Sequence, residues 1–249
     1  MASGRSALPE RRGIMYTFHS RVRYSEIDAD GHITLDNIIN YMQDCSTFHS
    51  EDLGIGIQYL KKNHQVWMLS AWQIVIEQLP KFAQEITIGT QAYDFSNVFG
   101  YRNFAIMDET GAYLVKANSI WCLTDTVTGR PMRIKPEFVA CYGTAKPLEM
   151  NYANRKITIP NDGQKQDPIQ VQYHHLDTNR HVNNGQYVKM ALQYLPKDFS
   201  IYQMRAEYRQ QAKLGDIILP VVFPVQRGFV IVLENEDGKP FSIVELLSR

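Results

Sequence analysis

Cysteine is scarce in this sequence, and a surplus of either charge is missing altogether. The 249 residues carry three cysteines, Cys45, Cys122 and Cys141, odd in number and too widely spaced for a disulfide framework. No CxxC pair or Cys/His cluster suggests a metal site. A reducing cytoplasm suits such thiols. Lysine plus arginine total 26 and aspartate plus glutamate 26, a formal net charge of zero. Nucleic acid is therefore not expected as a partner, because phosphate binding draws on a basic surplus. No apolar run approaches the roughly 20 residues of a membrane span, so no membrane partner is expected either. No signal-peptide core follows the start. Residues 1–14, MASGRSALPERRGI, are small, polar and Arg-rich, and read as a disordered leader or tag remnant.

What is present is apolar material and a repeat. Apolar residues make up 44% of the chain, enough for a sizeable core. The length allows one large domain or two of about 120 residues. Residues 24–33 read YSEIDADGHI and residues 173–182 read YHHLDTNRHV, an offset of 149 (173 − 24). Tyr24, Asp28 and His32 recur identically as Tyr173, Asp177 and His181. Each copy leads into apolar residues at helical spacing. Ile38, Ile39, Met42, Cys45 and Phe48 follow the first, and Tyr187, Val188, Ala191, Leu192 and Leu195 the second. Asp36 in one case and Asn183 or Asn184 in the other can cap the helix.

Beyond each helix the sequence turns to β-branched and aromatic runs, at 66–78, 85–95, 98–108 and 112–125 and again at 201–212, 216–226, 229–234 and 240–247. Pro220 and Pro224 sit badly in a central strand, so the 216–226 run is expected at an edge or broken. Residues 136–168 are rich in proline and glycine and read as a linker lying across the surface. One helix followed by about four antiparallel strands, twice, is α+β. A long helix wrapped by a curved antiparallel sheet is the hotdog arrangement, which normally pairs with a second copy. The expectation is two fused hotdog domains, 15–135 and 169–249, forming an intramolecular pseudo-dimer. Further pairing into a homodimer of the pseudo-dimer is left open.

The chemistry is expected at Asp177, Asn179 and His181. Alternate positions share one face if the stretch is extended, and it runs into a helix start, where free N–H groups stabilise a developing oxyanion. The two copies differ here. Asp30 stands opposite Asn179, Gly31 opposite Arg180 and Thr34 opposite Asn183. One copy is inferred to have kept the chemistry while the other diverged, and structural use of Asp28 and His32 is favoured. His174 and His175 form a pair without a third metal ligand at convincing spacing.

The run Asp177-Thr178-Asn179-Arg180-His181-Val182-Asn183-Asn184-Gly185-Gln186-Tyr187 resembles the D-x-N-x-H-V-N-N-x-x-Y signature of the acyl-acyl carrier protein (acyl-ACP) thioesterases of bacteria and plant plastids. Similarity extends over residues 23–46, 66–92, 119–134 and 206–216. The resemblance implies a tandem hotdog fold and hydrolysis of a fatty acyl-phosphopantetheine thioester carried on acyl carrier protein, without metal or cofactor. It implies that His181 activates water and that Asn179 holds the water or the carbonyl. Asp177 would complete the network or serve as base or nucleophile. Backbone groups near Asn183, Asn184 and Gly185 would bind the oxyanion. The acyl tail would run into the first half, with Phe48, Trp67, Leu69 and Trp72 as candidate tunnel residues. Arg180, Lys189, Arg209 and Lys213 form a candidate patch for an acidic carrier protein. Plant members carry an acidic residue and a cysteine where this chain has Gln211 and Ala212, so Gln211 is left a positioning role. An acyl-coenzyme A thioesterase of the same fold and a non-catalytic acyl-binding module are the alternatives.

Overall fold

The computed structural model describes residues 15–249, and the expected leader at 1–14 lies outside them. The first half contains strand β1 (Tyr16–Arg21), helix α1 (Leu35–Asp52), a short helix α2 (Ile57–Lys62), and strands β2 (Gln65–Ile76), β3 (Glu85–Ser96), β4 (Phe99–Met107) and β5 (Tyr113–Asp125). The second contains β7 (Ile169–Gln170), helix α4 (Asn184–Leu192), β8 (Gln203–Tyr208), β9 (Ile217–Val225), β10 (Gly228–Glu234) and β11 (Pro240–Leu247). The segment between them is not featureless. It holds helix α3 (Pro136–Tyr142), with proline at its start, and strand β6 (Gln164–Lys165). Proline in the first helical turn removes only an N–H that has no helical partner, so Pro136 starts a helix inside the expected linker.

All the strands join one antiparallel sheet in the order β1-β3-β4-β5-β2-β8-β11-β10-β9-β6, with β7 also on β9. The halves meet where β2 pairs with β8. Trp72 lies opposite Ala206 and Ile74 opposite Met204, so equivalent positions differ by 132 residues (204 − 72 and 206 − 74). Gln73 and Arg205 face each other on the local two-fold axis. The linker crosses the outer face of this seam. Gln73 bonds the Asn151 carbonyl and the Ala153 N–H, Arg205 bonds the Asn154 and Lys156 carbonyls, and Glu207 accepts from Ile157. Buried polar groups are tolerable there because the linker's backbone satisfies them.

The 216–226 run forms an unbroken strand despite its prolines. β9 bonds along one side to β10 and is covered on the other only by the two-residue strands β6 and β7, so the missing proline N–H groups cost little ladder. On the inner face α1 buries Ile38, Ile39, Met42 and Cys45 completely, as their spacing predicts, while Phe48 at its far end stays half exposed. Burial raises the Cys45 thiol pKa to about 12 and leaves it unreactive. Helices α1 and α4 touch across the two-fold. Asn184 donates to Gln43 at 3.1 Å, Lys189 pairs with Asp36 at 3.4 Å, and Gly185 lies close to Asn40 and the Asp36 carbonyl. Among the described residues no helix is long and apolar enough to cross a membrane.

Ile38 has no exposed surface and packs into the main core. Ile38→Ala is expected to cost about 2–5 kcal/mol, read as a lower denaturant midpoint at unchanged slope.

Candidate active site

The stretch from Asp177 to His181 is a tight turn, not the extended segment the alternating pattern suggests. The Asp177 N–H donates to the His181 carbonyl at 2.8 Å, and Arg180 N–H to the Asp177 carbonyl at 3.0 Å. The Asp177 side chain explains the turn. Its Oδ1 accepts the N–H groups of Asn179 (2.8 Å) and His181 (3.2 Å), an Asx turn that competes with extended backbone. Asp28 does the same for Asp30 (3.0 Å) and His32 (2.9 Å). The turn needs one residue in the left-handed region. Glycine supplies it in the first copy (Gly31, φ +79°), and in the second Arg180 adopts φ +63°. A non-glycine residue there carries about 1–3 kcal/mol of strain, which the turn's hydrogen bonds offset.

Turn geometry places Asn179 at an exposed tip and returns His181 beside Asp177 at the base. His181 then bridges to Lys213, as His32 bridges to Lys81. The His181 Nδ1 is buried and has no hydrogen-bond partner among the described residues. Polar atoms in that condition are rare in folded proteins and call for a functional or solvent partner.

The helix start is largely occupied. Asn183 is the N-cap of α4, and its Oδ1 accepts from Gly185 N–H at 2.8 Å. The Asn183 N–H donates to the His175 carbonyl at 2.9 Å. Of the three expected oxyanion donors, Asn184 alone keeps a backbone N–H without a partner among the described residues.

Tyrosines that the sequence offered only as core material lock this corner. Tyr187 on α4 accepts the Ala212 N–H at 2.9 Å, and Ala212 returns its carbonyl to Val182 N–H at 2.9 Å. Tyr208 donates to the Asn184 carbonyl at 3.0 Å. Burial pushes the Tyr187 phenol up to about 12 and raises Tyr208 further, with neighbouring Tyr187 adding to it, so both are neutral hydrogen-bonding groups at ordinary pH. Tyr187 stands in the eleven-residue signature, and its spacing could have marked it as an anchor. Nothing in the sequence pointed to Gln43, and Met68 stood out there only as one more candidate for the acyl tunnel. Met68 reaches in from the first half, where its Sδ lies 3.6 Å from the Gln211 amide. Ala212 is fully buried beneath Tyr187, so its side chain faces the core.

The candidate tunnel residues do not gather around one channel. Trp72 packs on Phe104 at 4.9 Å, Leu69 lies in the main core, Trp67 belongs to a separate cluster with Phe138 and Tyr142, and Phe48 is half exposed against Phe18. The basic residues are also divided. Lys189 is paired with Asp36 and Arg209 with the buried Glu207 carboxylate at 3.1 Å, while Arg180 and Lys213 are exposed beside the turn. The His174 and His175 rings lie 4.0 Å apart, tilted at 59°, but among the described residues no three His, Cys, Asp or Glu side chains come together as a metal site.

The acyl-ACP thioesterase N-terminal domain model matches residues 13–142, and the C-terminal domain model matches residues 159–229. The chain belongs to the acyl-ACP thioesterase family. Palmitoyl-acyl carrier protein thioesterase of Arabidopsis thaliana chloroplasts is 22% identical over 224 residues, covering 83% of this chain and 54% of that protein. The oleoyl-acyl carrier protein thioesterase of Coriandrum sativum is 22% identical over 233 residues, covering 85% and 63%. The chain thus spans a little over half the length of these curated relatives. Two solved structures superpose over nearly all of both chains. The acyl-ACP thioesterase from Bacteroides thetaiotaomicron gives a TM-score of 0.86 at 21% identity, covering 94% of this chain and 97% of its own. The 12:0-ACP thioesterase from Umbellularia californica gives 0.81 at 18%, covering 95% and 98%. The fold is accordingly the expected tandem hotdog.

Tyr187→Phe would leave the buried Ala212 N–H unsatisfied. A loss of about 1–3 kcal/mol in unfolding free energy is expected, measured by denaturant titration.

Proposed function

We propose that this chain hydrolyses the thioester joining a fatty acyl group to the phosphopantetheine arm of acyl carrier protein, using water activated at His181. The observation that carries the reading is the buried, unpartnered Nδ1 of His181, set beside the Asp177-held turn and the first turn of α4 in a chain of this family. The three free thiols support a reducing, cytoplasmic setting.

In this reading the imidazole accepts a proton as water attacks the thioester carbonyl carbon. The carbonyl oxygen becomes an oxyanion, which the Asn184 N–H stabilises at the positive end of the α4 dipole. The exposed Asn179 amide orients the water or the carbonyl. Collapse of the tetrahedral intermediate breaks the C–S bond, and the imidazolium returns its proton to the departing thiolate. The products are a free fatty acid and the carrier protein with its thiol restored. Asp177 is a positioning residue here, because its carboxylate is committed to holding two backbone N–H groups. Gln211, an amide beside Met68, cannot serve as a base and is assigned to positioning as well. Arg180 and Lys213, exposed next to the turn, are the two cations suited to steering an acidic carrier.

His181→Ala is expected to lower turnover on acyl-ACP by on the order of 10²-fold or more, the scale of general acid–base assistance. Near-normal turnover would remove His181 from the mechanism. The same acyl chain presented on coenzyme A is expected to be the poorer substrate in kcat/KM. Equal values would favour the coenzyme A alternative.

A further inference from the structure

The two-fold that relates the halves carries the His181 corner onto His32, and there the structure holds an open cleft of about 370 Å3. The correspondence is set by strand register. His32 bridges to Lys81 as His181 bridges to Lys213, an offset of 132 residues (213 − 81), the same offset as in the β2–β8 seam. Leu79 therefore stands where Gln211 stands, and Ser200 where Met68 stands. Beside His181 the Met68 thioether reaches the Gln211 amide. Beside His32 the smaller Ser200 faces Leu79 across open space, and Ile201 adds an apolar wall.

Volume and lining identify a class of occupant. About 300–1,000 Å3 is the range of small-molecule sites, and this cleft falls inside it. Its two charged groups neutralise each other, with Arg249 on the Glu77 carboxylate at 3.0 Å. A free carboxylate entering the cleft would meet an arginine already paired and a repelling glutamate. The remaining polar lining is uncharged hydrogen-bonding capacity from Gln78, Ser200 and Tyr202, whose ring lies under Arg249, with the His32 imidazole also on the wall. A flexible, uncharged, amide-bearing chain satisfies such a surface.

We infer that the His32 cleft is a second, non-hydrolytic site that binds the pantetheine arm of a carrier or cofactor. This rests on the proposed function only for the likeness of the two ligands. The His32 site lacks the means for turnover. Asp30 places a carboxylate at the turn tip where the second copy has the Asn179 amide, an anion where an oxyanion would have to develop.

The test uses pantetheine and its S-butyl thioether, which cannot be hydrolysed, titrated into the methyl-labelled full chain and followed by NMR. Saturable shifts of the Leu79 and Ile201 methyl signals are expected. They should be lost in Ser200→Trp, which fills the cleft, and kept in His181→Ala. Unmoved methyl signals in the wild-type chain, which need no variant to interpret, would overturn the inference. So would shifts that survive a folded Ser200→Trp. Full activity in His181→Ala would sink the proposed function while leaving this binding result intact.

Discussion

Five facing residue pairs between β2 and β8 hold the two halves edge to edge, and almost everything else in the molecule is placed by them. Because an antiparallel register is fixed residue by residue, a slip of one position would turn every core side chain of one half outward. The register is secured from both faces. Trp72, Ile74, Met204 and Ala206 are buried on the helix side. On the outer side Gln73, Arg205 and Glu207 are tied to the crossing linker. The seam closes what would be two exposed sheet edges. It also sets the two Asx turns in equivalent places, one on either side of the axis.

The turns divide the conserved-looking letters of the repeat into two kinds of work. Asp28 and Asp177 hold the same two backbone N–H groups in both halves, so their identity between copies follows from the turn alone. Asn183 and Tyr187 fix the helix start and the neighbouring strand. The groups not committed to the turn or the cap are the His181 ring, the Asn179 amide and the backbone N–H of Asn184, and these are the ones the proposed mechanism uses. The first half has the turn and the histidine but an aspartate at the tip. The two halves share the turn scaffold and differ at its tip and at the helix cap, where Asp30, Gly31 and Thr34 stand opposite Asn179, Arg180 and Asn183.

Much of the fold was legible because hydrophobic period and β-branched runs are local properties. The helices over Leu35–Asp52 and Asn184–Leu192 and the order of long strands follow from them. The prolines of β9 left an edge and a break both open, and the strand runs unbroken at the sheet margin, because which strand is covered by only two-residue neighbours is a tertiary fact. For the candidate site the sequence supplies the residues but not their shape. Alternation at Asp177, Asn179 and His181 suggested an extended face, whereas Asx hydrogen bonding closes a turn. Gln43 and Met68 come from the other half, 141 and 143 residues away in sequence from their partners Asn184 and Gln211, and no local pattern links them. Size and aromaticity at Phe48, Trp67, Leu69 and Trp72 do not by themselves distinguish a tunnel wall from a core.

In the proposed mechanism Asp177 builds the turn that presents His181 and is not itself the base. An asparagine keeps the accepting Oδ1 without the charge, while alanine removes both. Turnover on acyl-ACP in Asp177→Asn and Asp177→Ala, measured beside His181→Ala, separates the roles. The account predicts that Asp177→Asn stays within about tenfold of wild type, whereas Asp177→Ala falls toward His181→Ala, the loss typical of removing general-base help. If Asp177→Asn were as inactive as His181→Ala in a folded protein, the carboxylate would be the base and the assignment made here would be wrong.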